Sequence, residues 1–232
     1  DFRKADFWKI TIQLLIILNT FIMKNRFSNH FFKLAIVAVV LFTASCDKDE
    51  DSPKVVALET KTFSNLHAPQ TGGQGQPVGG VFTKFSFSEN AIVTTDKWDI
   101  AFQGTTIIVN GGKEIGIKDE PKRTGIGAIS IVSGTLNTIT KIPAAASFVQ
   151  DAISTYSIPT GSGKGWYTYN PTTNIISPIP GKVFVVKTHD GKYAKFEILS
   201  YYKDAPVSPD ANSQSRNYTI KFVYQGNSST DF

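Results

Sequence analysis

The chain has one cysteine, Cys46, one methionine, Met23, and three histidines, of which only His67 and His189 lie beyond Cys46. With no cysteine after position 46, an intramolecular disulfide is excluded, so the downstream part must hold together by burying a core. Two histidines and no thiolate leave little for a metal site of the usual ligand types, and any metal is left unassigned. A membrane-length apolar run is missing too: Trp8 to Ile22 and Leu34 to Phe42 each fall short of the roughly 20 residues that span a bilayer. Charge of one sign is also scarce once residues 1–46 are set apart. They hold six of the 24 basic and two of the 19 acidic residues, leaving 18 against 17. The basic balance of the whole chain therefore belongs largely to the leader, and nucleic-acid binding is not expected.

What the leader does contain is ordered. Met23-Lys-Asn-Arg-Phe and Lys33 form a basic n-region, Leu34 to Phe42 an apolar h-region, and Thr43-Ala44-Ser45 a run of small residues ahead of Cys46. That order is a signal peptide over 23–45. A cysteine at the first mature position can carry a diacylglyceryl thioether, and several acyl chains hold far better than one. Cys46 is thus expected to be lipidated, with 46–54 as lipid anchor and acidic tether. Lys48, Asp49 and Glu50 resemble the tag that sends Bacteroidetes lipoproteins to the outer face of the outer membrane. Residues 1–22, ahead of the sole methionine, read as a non-native upstream extension. Residues 55–232 then form a single domain, long enough for a real core.

Beyond the tether the patterns are β. Val55 to Phe63 is strand-like, and Ala68 to Gly80, with five glycines and two prolines, reads as a flexible loop. Val81, Thr83, Phe85 and Phe87 alternate with Phe82, Lys84, Ser86 and Ser88. Trp98, Ile100 and Phe102 share one predicted face, Asp99 and Ala101 the other. Ile107 to Val109 runs into the turn signal Asn110-Gly111-Gly112. Val183 to Thr188 and Tyr193 to Tyr202 flank His189-Asp190-Gly191-Lys192, the clearest hairpin, with Asp-Gly suited to a two-residue turn. Tyr218, Ile220, Phe222 and Tyr224 line one face of the last strand. One short helix is predicted, with Pro143 at its first position and Phe148, Val149, Ala152, Ile153 and Tyr156 at helical spacing. The class is all-β and antiparallel, with at most that one helix.

Three ordered blocks carry a resemblance: Trp98-Asp-Ile-Ala-Phe with Ile107-Ile-Val-Asn-Gly-Gly; Gly165-Trp-Tyr-Thr-Tyr with Pro178-Ile-Pro-Gly-Lys-Val-Phe-Val-Val-Lys-Thr and Asp190-Gly-Lys-Tyr-Ala-Lys-Phe; and Tyr218-Thr-Ile-Lys-Phe-Val-Tyr. Together with the leader, these resemble the HmuY family of Bacteroidetes haem-binding lipoproteins. The resemblance implies a β-sandwich-like antiparallel fold and haem or a related porphyrin as cofactor. It also implies a role beside a TonB-dependent outer-membrane transporter, taking haem from haemoproteins. The family's founding member binds haem through two histidines on separate loops, and relatives use methionines. Here Asn170-Pro171 stands where one histidine falls. The preceding region, Thr124 to Thr155, has no His, Met, Cys or Tyr.

Haem iron needs an axial donor such as His nitrogen, Met or Cys sulfur, or Tyr oxygen. Tyr169 is the best-placed candidate beside the family's ligand loop, with Tyr167 or Trp166 as porphyrin-stacking neighbours. His67, ahead of the glycine-rich loop, is a further candidate. His189, at a hairpin tip, reads as a solvated turn residue. Enzyme signatures are absent. Gly161-Ser-Gly-Lys-Gly lacks the spacing of a phosphate loop and leads into a strand. Thr124-Gly-Ile-Gly-Ala has no βαβ pattern around it. The alternative to haem binding is an accessory lipoprotein of a transporter that keeps the fold and binds another ligand or only a protein.

Overall fold

Alternating apolar residues build two antiparallel sheets, packed face to face in the computed structural model, which describes residues 58–73, 75–227 and 229–232. Residues 1–57 lie outside the described residues. With them lie the segments expected to be an upstream extension and a signal peptide, Cys46 and the Lys48-Asp49-Glu50 cluster. The strands are β1 (Thr60–His67), β2 (Thr71–Gly73), β3 (Gln76–Gly79), β4 (Thr83–Ser86), β5 (Ala91–Ile92), β6 (Ile100–Gln103), β7 (Thr106–Val109) and β8 (Ala128–Ser133). They continue with β9 (Tyr167–Asn170), β10 (Ile175–Pro178), β11 (Lys182–Lys187), β12 (Tyr193–Tyr202) and β13 (Ser215–Gln225). One sheet has the order β1-β13-β12-β11-β8, the other β5-β4-β6-β7, and β2–β3 and β9–β10 are separate two-stranded ribbons. The fold is all-β and antiparallel. Among the described residues no helix is long and apolar enough to cross a membrane.

The core lies between the two larger sheets. Phe85 of β4 and Phe87 just beyond its end meet Phe222 of β13 edge-on, at ring-centroid distances of 5.8 and 5.3 Å. Phe184 and Phe196 are cross-strand partners of β11 and β12, stacked at 5.0 Å. Such aromatic pairs are each worth about 0.5–1.5 kcal/mol beyond the area they bury. The predicted face of β13 holds, with Tyr218, Ile220 and Phe222 fully buried. A second cluster on the far side of the four-stranded sheet gathers Phe82, Val93, Trp98, Ala101, Ile108 and Ile115.

Four local expectations are corrected. Trp98 does not share a face with Ile100 and Phe102; it joins the second cluster, because the regular pleat begins only at Ile100. Ala68 to Gly80 is not a featureless loop. Thr71 pairs with Gly79 and Gly73 with Gln76, in a ribbon whose Gly72, Gly73 and Gly75 all have positive φ. The helix predicted from Pro143 reduces to one 3-10 turn, Ala145–Ser147. Val149 instead exchanges two 2.8 Å backbone hydrogen bonds with Ile129 of β8, so an edge strand claims the amides a helix would have used. The first strand runs past Phe63 to His67, with an irregularity between Phe63 and Leu66 where it pairs with β13.

The hairpin at 187–193 is present, but its turn is longer than a two-residue loop. Lys187 pairs with Tyr193, and Thr188 N–H donates to Lys192 O at 2.9 Å. Gly191 N–H donates to Thr188 O at 3.1 Å, and Gly191 takes φ +87°. This is a three-residue loop, His189-Asp190-Gly191, closed by a glycine in the left-handed region.

Candidate functional site

The candidate aromatic residues converge at one end of the sandwich. Gly165 lets the chain pass so close to Pro159 that a Cβ there would sit 1.9 Å from its carbonyl oxygen. This packing drives Trp166 inward, to 1 % exposure. Its indole Nε1–H donates to Thr105 O at 2.8 Å, and the rings of Tyr167, Tyr218 and Tyr201 surround it at 4.8, 5.0 and 5.4 Å. Tyr218 donates to Gly104 O at 2.9 Å, while Tyr202 Oη accepts Ile176 N–H and ties the β9–β10 ribbon to β12. Burial pushes the Tyr201 phenol up to about 12, against the pull of Arg216, and burial also holds Tyr218 well above the ordinary range. Trp166 is thus a core residue, and its faces are not available for porphyrin stacking.

Tyr167 is half-buried against this cluster, and Tyr169 is 41 % exposed. The Tyr169 hydroxyl donates to Asn174 Oδ1 at 2.6 Å, within its own ribbon. Asn170, set by the resemblance opposite a family histidine, has its Oδ1 accept Thr172 N–H at 2.9 Å and so builds the β9–β10 turn. His67 is exposed at the end of β1, with its carbonyl accepting the Thr83 hydroxyl at 2.6 Å.

His189 is not a free turn residue. Its Nδ1 lies 2.8 Å from Asp99 Oδ1, and its backbone N–H donates to the same oxygen at 3.0 Å. Asp99 is buried, and its second oxygen accepts Phe87 N–H at 2.8 Å. Burial raises the Asp99 carboxyl above its usual range, and the hydrogen bonds from His189 and Phe87 pull it back part of the way. Nothing in the sequence pattern flagged this pair, since the two residues are 90 positions apart.

Around that end runs a buried polar network. Asn110, read from sequence as a turn signal, is fully buried. Its Nδ2 donates to Asp96 O and Trp98 O, each at 2.9 Å, and its Oδ1 accepts Thr124 and Gly125 N–H at 2.8 and 3.0 Å. Arg123 bridges Glu120 and Asp151 at 3.0 and 3.1 Å, and its guanidinium carbon lies 5.7 Å from the centre of the Trp98 ring. Asp151 also accepts Val109 N–H and both donors of Ser157. A cleft of about 440 Å³ opens beside it, lined by Gly112, Lys113, Glu114, Lys122, Arg123 and Ile153.

The register of β13 measures how far apart the two ends are. His67 pairs with Asn217, whereas Tyr193, just past the His189 turn, pairs with Gln225. Eight residues of strand at roughly 3.3 Å each put about 26 Å between these positions. Tyr202 pairs with Ser215, so the aromatic cluster lies at the His67 end. His67 and His189 are therefore too far apart to share one iron within a molecule. Among the described residues no group of three or more His, Cys, Asp or Glu side chains is arranged to hold a metal ion.

A family model for the HmuY protein matches residues 80–224, from the approach to β4 nearly to the end of β13. The chain belongs to the HmuY family. Three solved structures are similar to it, each at 13 % identity. One, described as HmuY-like and heme-binding, is from Bacteroides vulgatus, with a TM-score of 0.40 over 73 % of this chain and 92 % of that one. The apo HmuY analog of Tannerella forsythia has a TM-score of 0.41 over 73 % and 96 %. A protein described as a lipoprotein, from Bacteroides fragilis, has 0.40 over 72 % and 90 %. No curated protein matches the chain.

Proposed function

We propose that this protein is a lipid-anchored haem- or porphyrin-binding protein of the outer-membrane surface that serves uptake through a TonB-dependent transporter. The observation that carries the reading is family membership over 80–224. The leader adds to it: its basic, apolar and small-residue order ends at Cys46, and Lys48-Asp49-Glu50 follows directly. A haem source among haemoproteins and a transporter partner belong to this reading.

The donor set limits how haem can be held. A methionine pair is ruled out by composition, because the only methionine is Met23. The separation of His67 and His189 along β13 argues against a pair formed by those two histidines. A single protein donor fits, and Tyr169, His67 and His189 are among the side chains outside the core that offer one. When bound, the porphyrin would supply a Soret band whose position reports the iron's ligand, which makes the test direct. Haemin titrated into the purified protein is expected to give a saturable shift of that band at one equivalent.

The second reading is an accessory lipoprotein that binds another ligand or only the transporter. It is favoured by Asn170, which stands at the family's ligand position and there builds a turn. A flat titration in wild type would support that reading over the first.

A further inference from the structure

The β11–β12 turn holds an imidazole that is gripped by a buried carboxylate and partly exposed. Asp99 Oδ1 engages both His189 Nδ1 and the His189 backbone N–H, at 2.8 and 3.0 Å. On the other side Ile126 N–H donates to His189 O at 3.0 Å. Gly125 lies so close that a Cβ there would come within 2.7 Å of His189 Cβ. The residue therefore has little room to move. A carboxylate on Nδ1 fixes the tautomer with its proton there, which places the lone pair on Nε2. The side chain keeps 20 % exposure, so the ring is not sealed in. A carboxylate behind and a nitrogen donor in front is the arrangement by which proteins orient imidazoles that bind metals.

We propose that His189 Nε2 is the single axial donor to haem iron in this protein, with Asp99 as its positioning residue. The inference rests on the haem-binding reading above and supplies its ligand. The surroundings suit a porphyrin edge. Ile126 is half-exposed and packs next to Gly191, its Cδ1 3.2 Å from where a Cβ on that glycine would be. Lys122, three residues before Gly125, is an exposed cation on the segment that packs against the turn and has the charge a propionate needs. A His–Asp pair is also two parts of a hydrolytic triad. Among the described residues, however, no serine or threonine hydroxyl is hydrogen-bonded to the ring, so a nucleophile is not in place.

The test is a haemin titration of wild type, His189→Ala, Asp99→Asn, His67→Ala and Tyr169→Phe, with circular dichroism confirming that each folds. His189→Ala is expected to weaken haemin binding by more than about tenfold, and free imidazole should restore the wild-type spectrum. Asp99→Asn should leave haem bound but lower the ferrous iron–histidine stretching frequency, because the ligand loses its anionic partner. Tyr169→Phe and His67→Ala should match wild type. A wild-type Soret spectrum that survives in His189→Ala overturns the assignment and leaves the haem reading standing. A flat wild-type titration overturns both. If His189→Ala does not fold, nitrogen hyperfine coupling in the ferric His67→Ala complex decides: a coordinated imidazole supports His189, and its absence rules it out.

Discussion

Trp166 illustrates how much one side chain can anchor in this fold. Three aromatic rings within 5.4 Å and one hydrogen bond to Thr105 O hold it in place. Truncation to alanine should cost about 3–5 kcal/mol, the usual loss for a buried tryptophan. Trp166→Phe should cost less, since most ring contact survives and only the donor to Thr105 is lost. Urea midpoints would check both, and the phenylalanine variant should keep wild-type haemin affinity because the indole lies inside the core. Arg123 presents the electrostatic counterpart. Its side chain is 2 % exposed and faces two buried carboxylates. Arg123→Met would leave Glu120 and Asp151 without their cation, so a loss of about 3–5 kcal/mol is expected in the same assay. An unfolding free energy within 1 kcal/mol of wild type would show that solvent, rather than arginine, compensates those charges.

At the scale of elements, the segment 123–127 and the β11–β12 turn are locked together at Gly125. A methyl group there would meet His189 Cβ at 2.7 Å and Asn110 O at 2.8 Å, and one of these is backbone. Gly125→Ala should therefore separate the segment from the turn at a cost of about 1–3 kcal/mol, as overpacking does elsewhere. Hydrogen exchange gives the sharper readout: the Ile126 and His189 amides should lose protection together, while β9–β10 stays unchanged. Uniform loss of protection across the molecule would instead mark general destabilisation. The β9–β10 ribbon depends on a different device, the hydroxyl of Tyr202 accepting Ile176 N–H at 2.9 Å.

For the molecule as a whole, the buried phenols set an alkaline limit. Tyr201 ionises only at about 12 in the folded state, and Tyr218 is raised as well, both because burial disfavours the phenolate. An unfolded tyrosine ionises near 10. The folded state thus holds more protons between these values, so stability is full below about pH 10 and falls as pH rises towards 12. Thermal melts from pH 8 to 12 should show that decline, and Tyr201→Phe should make it shallower. On the proposed reading, the location of the whole protein depends on Cys46. Cys46→Ser is expected to abolish fatty-acid labelling in cells, and undiminished labelling would refute the lipid anchor. Alanine at Lys48, Asp49 and Glu50 should leave the label intact but remove access to protease added outside the cell.

The β class, the closing strand, the 183–202 hairpin and the family were legible in the sequence because each depends on local alternation, turn chemistry or block order. A two-residue period puts Tyr218, Ile220 and Phe222 on one face whatever lies opposite. The functional reading of single residues was not legible. Helical spacing after Pro143 was overridden by an edge strand that claimed the amide of Val149. Trp166 lost its candidate role to the close passage of Gly165 by Pro159. His189 gained one from Asp99, 90 residues away, and Asn110 turned from a turn signal into the buried centre of a loop network. Burial and long-range hydrogen bonds are properties of the assembled sheets. No local pattern encodes them, so only the tertiary structure could decide which aromatic is core and which histidine is held by a buried carboxylate.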